Sequence, residues 1–338
     1  MSGYSRRAVL GQLSAALMLG PGLAACDRKP AKGAIRIANT AGNLNQTMMA
    51  LMRQEQFLEQ FGLQPDMQAV ADGSRIMGGI IGGSADVSFL SGFGQAFPAV
   101  ERGAEVKVIG GGILLPALAL FTGKDEVQSL KDLEGRTIGS GSVGALTYQL
   151  TVTLLKQHDV DVSKIRFVNI GSSSDVFRAV SAGSVDAGVG SAVDIEDAAQ
   201  NHVRLIPNGN MAEELKDFTY SGAWASAKTI GAMRDTLVKA LAAHVKLYRF
   251  VEQPAAHDAY IKARRTVFTS APDSAHEAEW RFIQTYRPFA TDLLLSPERP
   301  DYMQSLNVAF GVQNAKLPFD RIADMSLAKE ALALAAPA

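Results

Sequence analysis

Arg136-Thr-Ile-Gly-Ser-Gly-Ser-Val-Gly-Ala-Leu-Thr-Tyr-Gln-Leu150 sets three glycines, Gly139, Gly141 and Gly144, in a G-x-G-x-x-G pattern. A short apolar step precedes them and a helical pattern follows. A loop where a strand gives way to a helix presents backbone N–H groups and the positive end of the helix to whatever lies opposite. Dinucleotide sites and small-anion sites share that chemistry, so the pattern by itself does not choose between them. Asp159 and Asp161 stand about 20 residues downstream, where a dinucleotide site wants an acid. The rest of the chain has to decide.

Shifting the sequence by 100 residues, without a gap, lays it over itself. Arg36-Ile-Ala-Asn-Thr-Ala-Gly-Asn-Leu-Asn45 falls over the segment 136–145, Ser74–Ile81 over Ser174–Ser181, and Gly83-Ser-Ala-Asp-Val87 over Gly183-Ser-Val-Asp-Ala187. The order of elements repeats as well. Strands are expected at Ala34–Ala38, Met67–Val70 and Val87–Leu90, then at Thr137–Gly139, Ile165–Ile170 and Ala187–Gly190. Helices are expected at Thr47–Phe61 and Ser74–Gly82, then at Ala145–Gln157 and Ser174–Ala182. Met48, Leu51, Met52, Phe57 and Leu58 keep close to a 3.6-residue period. Alternating strands and helices predict parallel sheets in an α/β architecture.

After the repeat, Asp217–Ser226 reads as a strand. Five helical stretches follow: Ile230–Glu252, Pro254–Arg265, Ala275–Tyr286, Pro300–Gly311 and Ala323–Leu334. The chain is expected to cross back and pack these helices on the first unit. Lobe one is then 34–119 with 222–338, and lobe two is 120–221. The crossings near Leu118–Thr122 and Tyr220–Ala225 form the hinge, since hinges are few and sit at element ends.

The first residues speak of export. Ser5-Arg-Arg-Ala-Val-Leu10, an apolar run, then Leu23-Ala-Ala-Cys26 give a charged start, an apolar middle and a small-residue cleavage site. Gly20, Pro21 and Gly22 interrupt the run, which falls short of the ~20 apolar residues of a spanning helix. The paired arginines resemble a twin-arginine signal, with Val9 and Gly11 departing from it, so general secretion also fits. Leu-Ala-Ala-Cys resembles a lipobox. Residues 1–25 are therefore the expected signal, Cys26 the lipidation site and 26–33 a tether, with Asp27 resembling an inner-membrane retention residue. Cys26 is the only cysteine, which excludes a disulfide within one molecule. Removing Arg6 and Arg7 from 33 basic residues leaves 31 against 34 acids, a net of −3. That balance gives no electrostatic footprint for nucleic acid.

At this point the chain resembles a family: the substrate-binding proteins of bacterial ABC importers, in their nitrate/sulfonate/taurine branch. Gly83-Ser-Ala-Asp-Val-Ser88, Gly103-Ala-Glu-Val-Lys-Val-Ile-Gly110, Ser129-Leu-Lys-Asp-Leu-Glu-Gly-Arg-Thr-Ile-Gly139 and Phe177-Arg-Ala-Val-Ser-Ala-Gly-Ser-Val-Asp-Ala187 carry the likeness. The resemblance implies the two-lobe, type II periplasmic-binding-protein fold, with a hinge and a ligand cleft between the lobes. It implies a periplasmic protein that closes on a small polar or anionic solute such as a sulfonate, nitrate or bicarbonate; the lipid anchor is read separately from Cys26, and a monomer is expected. That solute is then delivered to an ABC permease. A relative of this fold makes a thiamine pyrimidine precursor with a cysteine-rich motif and histidine. With one cysteine here, that chemistry has no place, although a pyrimidine-precursor binder or another exported enzyme on the same fold stays open.

Ligands of parallel α/β sheets sit beyond the C-terminal ends of the strands. The candidate contacts are accordingly Asn39, Thr40, Asn43, Ser74, Ser91, Gly92 and Phe93 from lobe one. Lobe two offers Ser140, Ser142, Val143, Ser172, Ser173, Gly190 and Ser191, and Trp224 stands near the return strand. Hydroxyls, amides and backbone N–H groups dominate, which suits a monoanion or a neutral polar molecule better than a dianion. His158, His202, His244, His257 and His276 show no metal-ligand spacing, and the H-E-x-x-H, P-loop and G-x-S-x-G motifs are absent. No cofactor and no catalytic residue is expected.

Overall fold

The computed structural model describes residues 33–71, 73–143 and 145–336. The signal, Cys26, the tether up to residue 32 and Gly144 lie outside the described residues.

Strand β1 (Ala34–Thr40) opens the fold. It is followed by α1 (Asn43–Gln54), β2 (Gln64–Val70), α2 (Gly73–Gly82), β3 (Val87–Ser91), α3 (Ala96–Glu101) and β4 (Val106–Gly111). A second set then runs β5 (Leu118–Thr122), β6 (Thr137–Ser140), α4 (Leu146–Gln157), β7 (Arg166–Asn169), α5 (Ser173–Ser181), β8 (Ala187–Ser191), β9 (Arg204–Asn210) and α6 (Met211–Glu214). The chain ends with β10 (Gly222–Ser226) and the helices α7 (Ala227–Val251), α8 (His257–Val267), α9 (Asp273–Tyr286), α10 (Glu298–Ala309), α11 (Phe319–Ile322) and α12 (Ser326–Leu334).

Two five-stranded sheets result, in the orders β2-β1-β3-β10-β4 and β7-β6-β8-β5-β9. The orders are equivalent: β6, β7, β8 and β9 repeat β1, β2, β3 and β4, and β5 takes the place of β10. The sheets are mixed, which corrects the expectation of purely parallel ones. β10 runs antiparallel to β3 and β4, and β5 runs antiparallel to β8 and β9. Each of these strands is where the chain passes between sheets, so it enters its sheet against the direction of the repeat. Central strands are covered on both sides: β3, β5 and the first four residues of β8 and β10 are buried. In β1 the pattern alternates, with Ile35 and Ile37 buried around an exposed Arg36.

The crossings lie slightly apart from where the sequence put them. Leu118 and Ala119, expected in lobe one, begin β5 of the second sheet, and Asp217–Ser221 precede the return strand instead of forming it. The chain passes between sheets at 112–117 and 215–221. The two passages bind each other: Ile113 N–H donates to Ser221 Oγ at 2.9 Å, and Ser221 N–H to Ile113 O at 2.9 Å. One apolar cluster packs α1, α7, α8 and α9 with the first sheet. Another joins Phe93, Phe97, Val108 and Trp224 to Leu120, Leu150, Leu154 and Phe218, so a single core reaches both sheets.

The Gly-Ser-x-Asp repeat has a structural job. Gly83 and Gly183 adopt φ of +77° and +71°, which turns the chain out of α2 and α5 at little steric cost. Three residues later, Asp86 accepts the Arg36 N–H at 2.8 Å and Asp186 accepts the Thr137 N–H at 2.8 Å. The Asp86 and Asp186 N–H groups return bonds to the carbonyls of the same two residues, at 2.9 and 3.0 Å. Each aspartate thus clamps the third strand of its unit onto the first.

Candidate functional site

A cleft opens where the starts of α1 and α5 meet. Gly42, Asn43, Leu44 and Asn45 line it from the first sheet's side, and Leu118, Ser173, Ser191 and Val193 from the second's. Tyr220 of the return passage and Glu279 and Phe282 of α9 complete it. Of the expected contacts, the structure therefore brings Asn43, Ser173 and Ser191 together. Gly42 precedes α1 with no side-chain cap, so no capping side chain occupies the first N–H groups of that helix. α5 is capped by Ser172, whose Oγ accepts the Asp175 N–H at 3.2 Å while donating to the Asp175 carboxylate at 2.6 Å. Both helix starts add partial positive charge at the cleft.

Behind the α1 start is a polar knot that fixes it. Asn39 Oδ1 accepts from Phe89 N–H and Leu90 N–H, both at 2.9 Å. Ser91 Oγ accepts from Thr40 N–H at 3.1 Å, and Thr40 Oγ1 donates to Leu90 O at 3.0 Å. Asn45, a residue sequence reasoning passed over, ties the whole together by donating to Thr40 Oγ1 at 2.7 Å and Leu90 O at 2.8 Å. Asn39, Thr40 and Ser91 thus position the loop; they are not among the cleft-lining residues.

Other expected contacts take different places. Trp224 and Phe93 are wholly buried, with Phe93 edge-on to Phe97, because the return strand runs through the middle of the core and not along its rim. Gly190 has no room opposite it: a β-carbon there would come within 2.6 Å of Phe177 and 2.8 Å of Phe121. Gly92 is packed against Leu146 of α4. Ser140 is buried and donates to Gly141 O at 2.8 Å. Ser142 is exposed, and Val143, at 76% exposure, lines a separate groove with Tyr148, Val152 and Phe310. Ser74 lies in the first turn of α2 and, like Ser172, outside the cleft lining.

The first two glycines of the pattern are accounted for by packing. A β-carbon on Gly139 would sit 2.8 Å from Ile170, and one on Gly141 2.6 Å from Thr147 Oγ1. The Gly141 N–H donates to that same hydroxyl at 3.0 Å, so it is engaged by α4's own first turn and not held out for a phosphate.

α9 supplies what the sequence did not reveal. Glu279, only 1% exposed, accepts on Oε1 from Thr47 Oγ1 at 2.7 Å, from Tyr260 OH at 2.6 Å and from Arg264 Nη1 at 2.6 Å. Asp194, after β8, accepts the Ser191 N–H at 2.9 Å. Burial pushes its carboxyl up to about 6, against the pull of that bond and of Arg264. Further along α9, Arg281 Nε donates to Glu196 at 3.0 Å and Tyr286 OH to Glu213 at 2.6 Å. Gln149 Nε2 of α4 donates to Asn307 Oδ1 of α10 at 3.0 Å, and Asn307 Nδ2 to Gly94 O at 2.8 Å. Helices α9 and α10 of the C-terminal tail therefore both bond to residues on the second sheet's side. Among the described residues no group of three or more His, Cys, Asp or Glu could hold a metal, and no helix is long and apolar enough to cross a membrane.

Solved structures share this architecture. The alkanesulfonate-binding protein SsuA of Xanthomonas axonopodis pv. citri, bound to MOPS, superposes with a TM-score of 0.71 at 18% identity, over 86% of this chain and 98% of its own. The periplasmic nitrate-binding protein NrtA of Synechocystis PCC 6803 gives 0.73 at 8% identity, over 89% of each chain. The desulfurization enzyme DSZB gives 0.60 at 13% identity, over 89% of this chain and 99% of its own. These likenesses establish a periplasmic-binding-protein fold, in two mixed α/β sheets. Among curated proteins, none matches the sequence. The NMT1/THI5-like family model matches residues 43–255, from the first residue of α1 to the turn after α7. The chain belongs to the NMT1/THI5-like family.

Proposed function

We propose that this protein is the extracytoplasmic solute-binding component of an ABC importer. It captures a small polar or anionic solute between two lobes and hands it to a membrane permease. The observation that carries the reading is the convergence of Asn43, Ser173 and Ser191, with the starts of α1 and α5, on one cleft between two equivalent sheets. Structures of similar fold described as sulfonate- and nitrate-binding support it. The lobes divide at the paired passages, giving 33–117 with 222–336 and 118–221, and Ile113 and Ser221 form the hinge. Ligand bridging the lobes selects the closed form.

Neutral hydrogen bonds contribute about 0.5–1.5 kcal/mol each, and micromolar binding needs about −8.2 kcal/mol. Donors from both sides of the cleft have to act together to reach that. In this reading the protein is a monomer without catalysis, exported through the leader at 1–25 and held at the inner membrane by lipid on Cys26.

Calorimetric titration with nitrate, bicarbonate, alkanesulfonates and aminopyrimidines tests the proposal. Saturable binding of one class, without turnover, and a smaller radius of gyration in solution scattering are expected. Stabilisation by NAD alone, or conversion of a solute, would transfer the case to an exported enzyme.

A further inference from the structure

A second groove, apart from the cleft, runs between α4 and the end of α10 and has a volume of about 220 Å³. Tyr148, Val152 and Lys156 line it from one face of α4, at successive i, i+4 positions. Phe310 and Val312 line it from the end of α10 and the turn that follows. Exposed large apolar side chains are few, and two of them stand here: Val143, in the lining before α4, and Val308, next to the lining on α10. Such residues are ordinary when scattered singly; gathered around a concavity they mark a binding surface.

One charge faces this apolar wall. Lys156 Nζ lies 4.9 Å from the centre of the Phe310 ring and makes no ion pair among the described residues. Other lysines of the same unit do: Lys131 and Lys164 both reach Glu134, at 2.6 and 2.8 Å. The groove has no acid in its lining. The ring face holds the cation by its charge and leaves ammonium N–H groups free to donate. Between Tyr148 and Lys156 the helix rises about 12 Å, so the groove is elongated, apolar along its length and positive at one end.

We infer that this groove is a second ligand site, for a medium-chain monocarboxylic acid. The hydrocarbon chain lies along Val152 and Phe310 toward Val143, and the carboxylate accepts from Lys156 Nζ. A charge-assisted bond at one end and apolar burial along the rest match the two features of the lining. The occupant also joins α4 to α10, beside the existing bond from Gln149 to Asn307. The site uses no residue of the cleft, so it stands apart from the receptor reading.

Calorimetric titration of the whole chain with octanoate, octanol, octylamine and acetate tests the site. Saturable binding of octanoate is expected, with octanol and octylamine roughly tenfold or more weaker, the worth of one bond to a charged group. Acetate, which lacks the chain, should be weaker by a similar factor or more. Lys156→Gln should bring octanoate to the level of octanol, and Val143→Glu should weaken octanoate by repulsion. Both positions are exposed, so neither variant threatens folding. Ser173→Ala, in the cleft, should leave octanoate binding unchanged. Absence of saturable octanoate binding overturns the inference, as does octanol or octylamine bound as tightly as octanoate. Octanoate binding that survives Lys156→Gln intact, or that is lost in Ser173→Ala, puts the acid elsewhere and overturns it too.

Discussion

Asp86 and Asp186 stand one hundred residues apart and make the same bond, each accepting a first-strand N–H at 2.8 Å, from Arg36 in one sheet and Thr137 in the other. They differ in their surroundings. Asp86 also receives the Arg36 guanidinium, with Nη2 at 2.6 Å, and Asp186 has no such partner among its hydrogen bonds. Asp86→Ala is expected to cost about 2–3 kcal/mol and Asp186→Ala about 1–2 kcal/mol, because only the first also removes an ion pair. Urea unfolding of the two variants measures the gap; equal losses would show that the arginine adds nothing.

Asn45 is the second test. Replacing it by Ala leaves Thr40 O, Thr40 Oγ1 and Leu90 O without their shared donor in a buried place. A loss of about 2 kcal/mol in stability is expected, together with weaker solute binding, because the α1 start is no longer fixed. Ser142→Ala, on an exposed residue outside the cleft lining, should change neither quantity.

The proposed contacts should behave otherwise. Ser173→Ala and Ser191→Ala are each expected to weaken binding by about two- to tenfold, the worth of one neutral hydrogen bond. Melting temperature should move by little for Ser173, whereas Ser191 also shares a capping box with Asp194 and should cost some stability. Titration calorimetry beside thermal unfolding separates the two effects.

His244 gives the fold a pH dependence. It is fully buried, stacks on Phe89 with ring centres 3.7 Å apart, and donates from Nδ1 to Ala240 O at 2.8 Å. Burial pushes its pKa down to about 4, against the pull of that hydrogen bond. As pH falls, the unfolded chain takes up this proton first, so the contribution is complete above about 6.5 and is lost on descending toward about 4. Asp194, raised to about 6, acts in the reverse sense: its contribution is lost as pH rises through about 6. The difference in unfolding free energy between the native chain and His244→Phe isolates the histidine. It should change by about 3 kcal/mol between pH 7 and pH 4.

Much of this architecture was legible because it is written locally and twice. Gly-Ser-x-Asp marks the end of a helix and the start of a strand in both units, and the apolar period of α1 is strong. β9 was not legible, since Pro207, Asn208 and Gly209 are breakers by type and only pairing with β5 makes that segment a strand. α3 is six residues long and contains Pro98, too short for a period to show. At the site, Asn43, Ser173 and Ser191 were readable as loop residues at helix starts and strand ends. Glu279 was not, because its meaning depends on Thr47, which lies 232 positions earlier. Trp224, an aromatic beside a crossing, fits either a ligand contact or packing at the hinge, and the antiparallel return strand buries it.

The exchange of strands between β5 and β10 also sets an order of events during synthesis. Every strand of the second sheet comes from one uninterrupted stretch, 118–210, so that sheet is complete as soon as the stretch has left the ribosome. The first sheet, begun earlier, has a gap between β3 and β4 until β10 emerges more than a hundred residues after β4. The older half of the nascent chain must wait, edges exposed, for the younger one to finish.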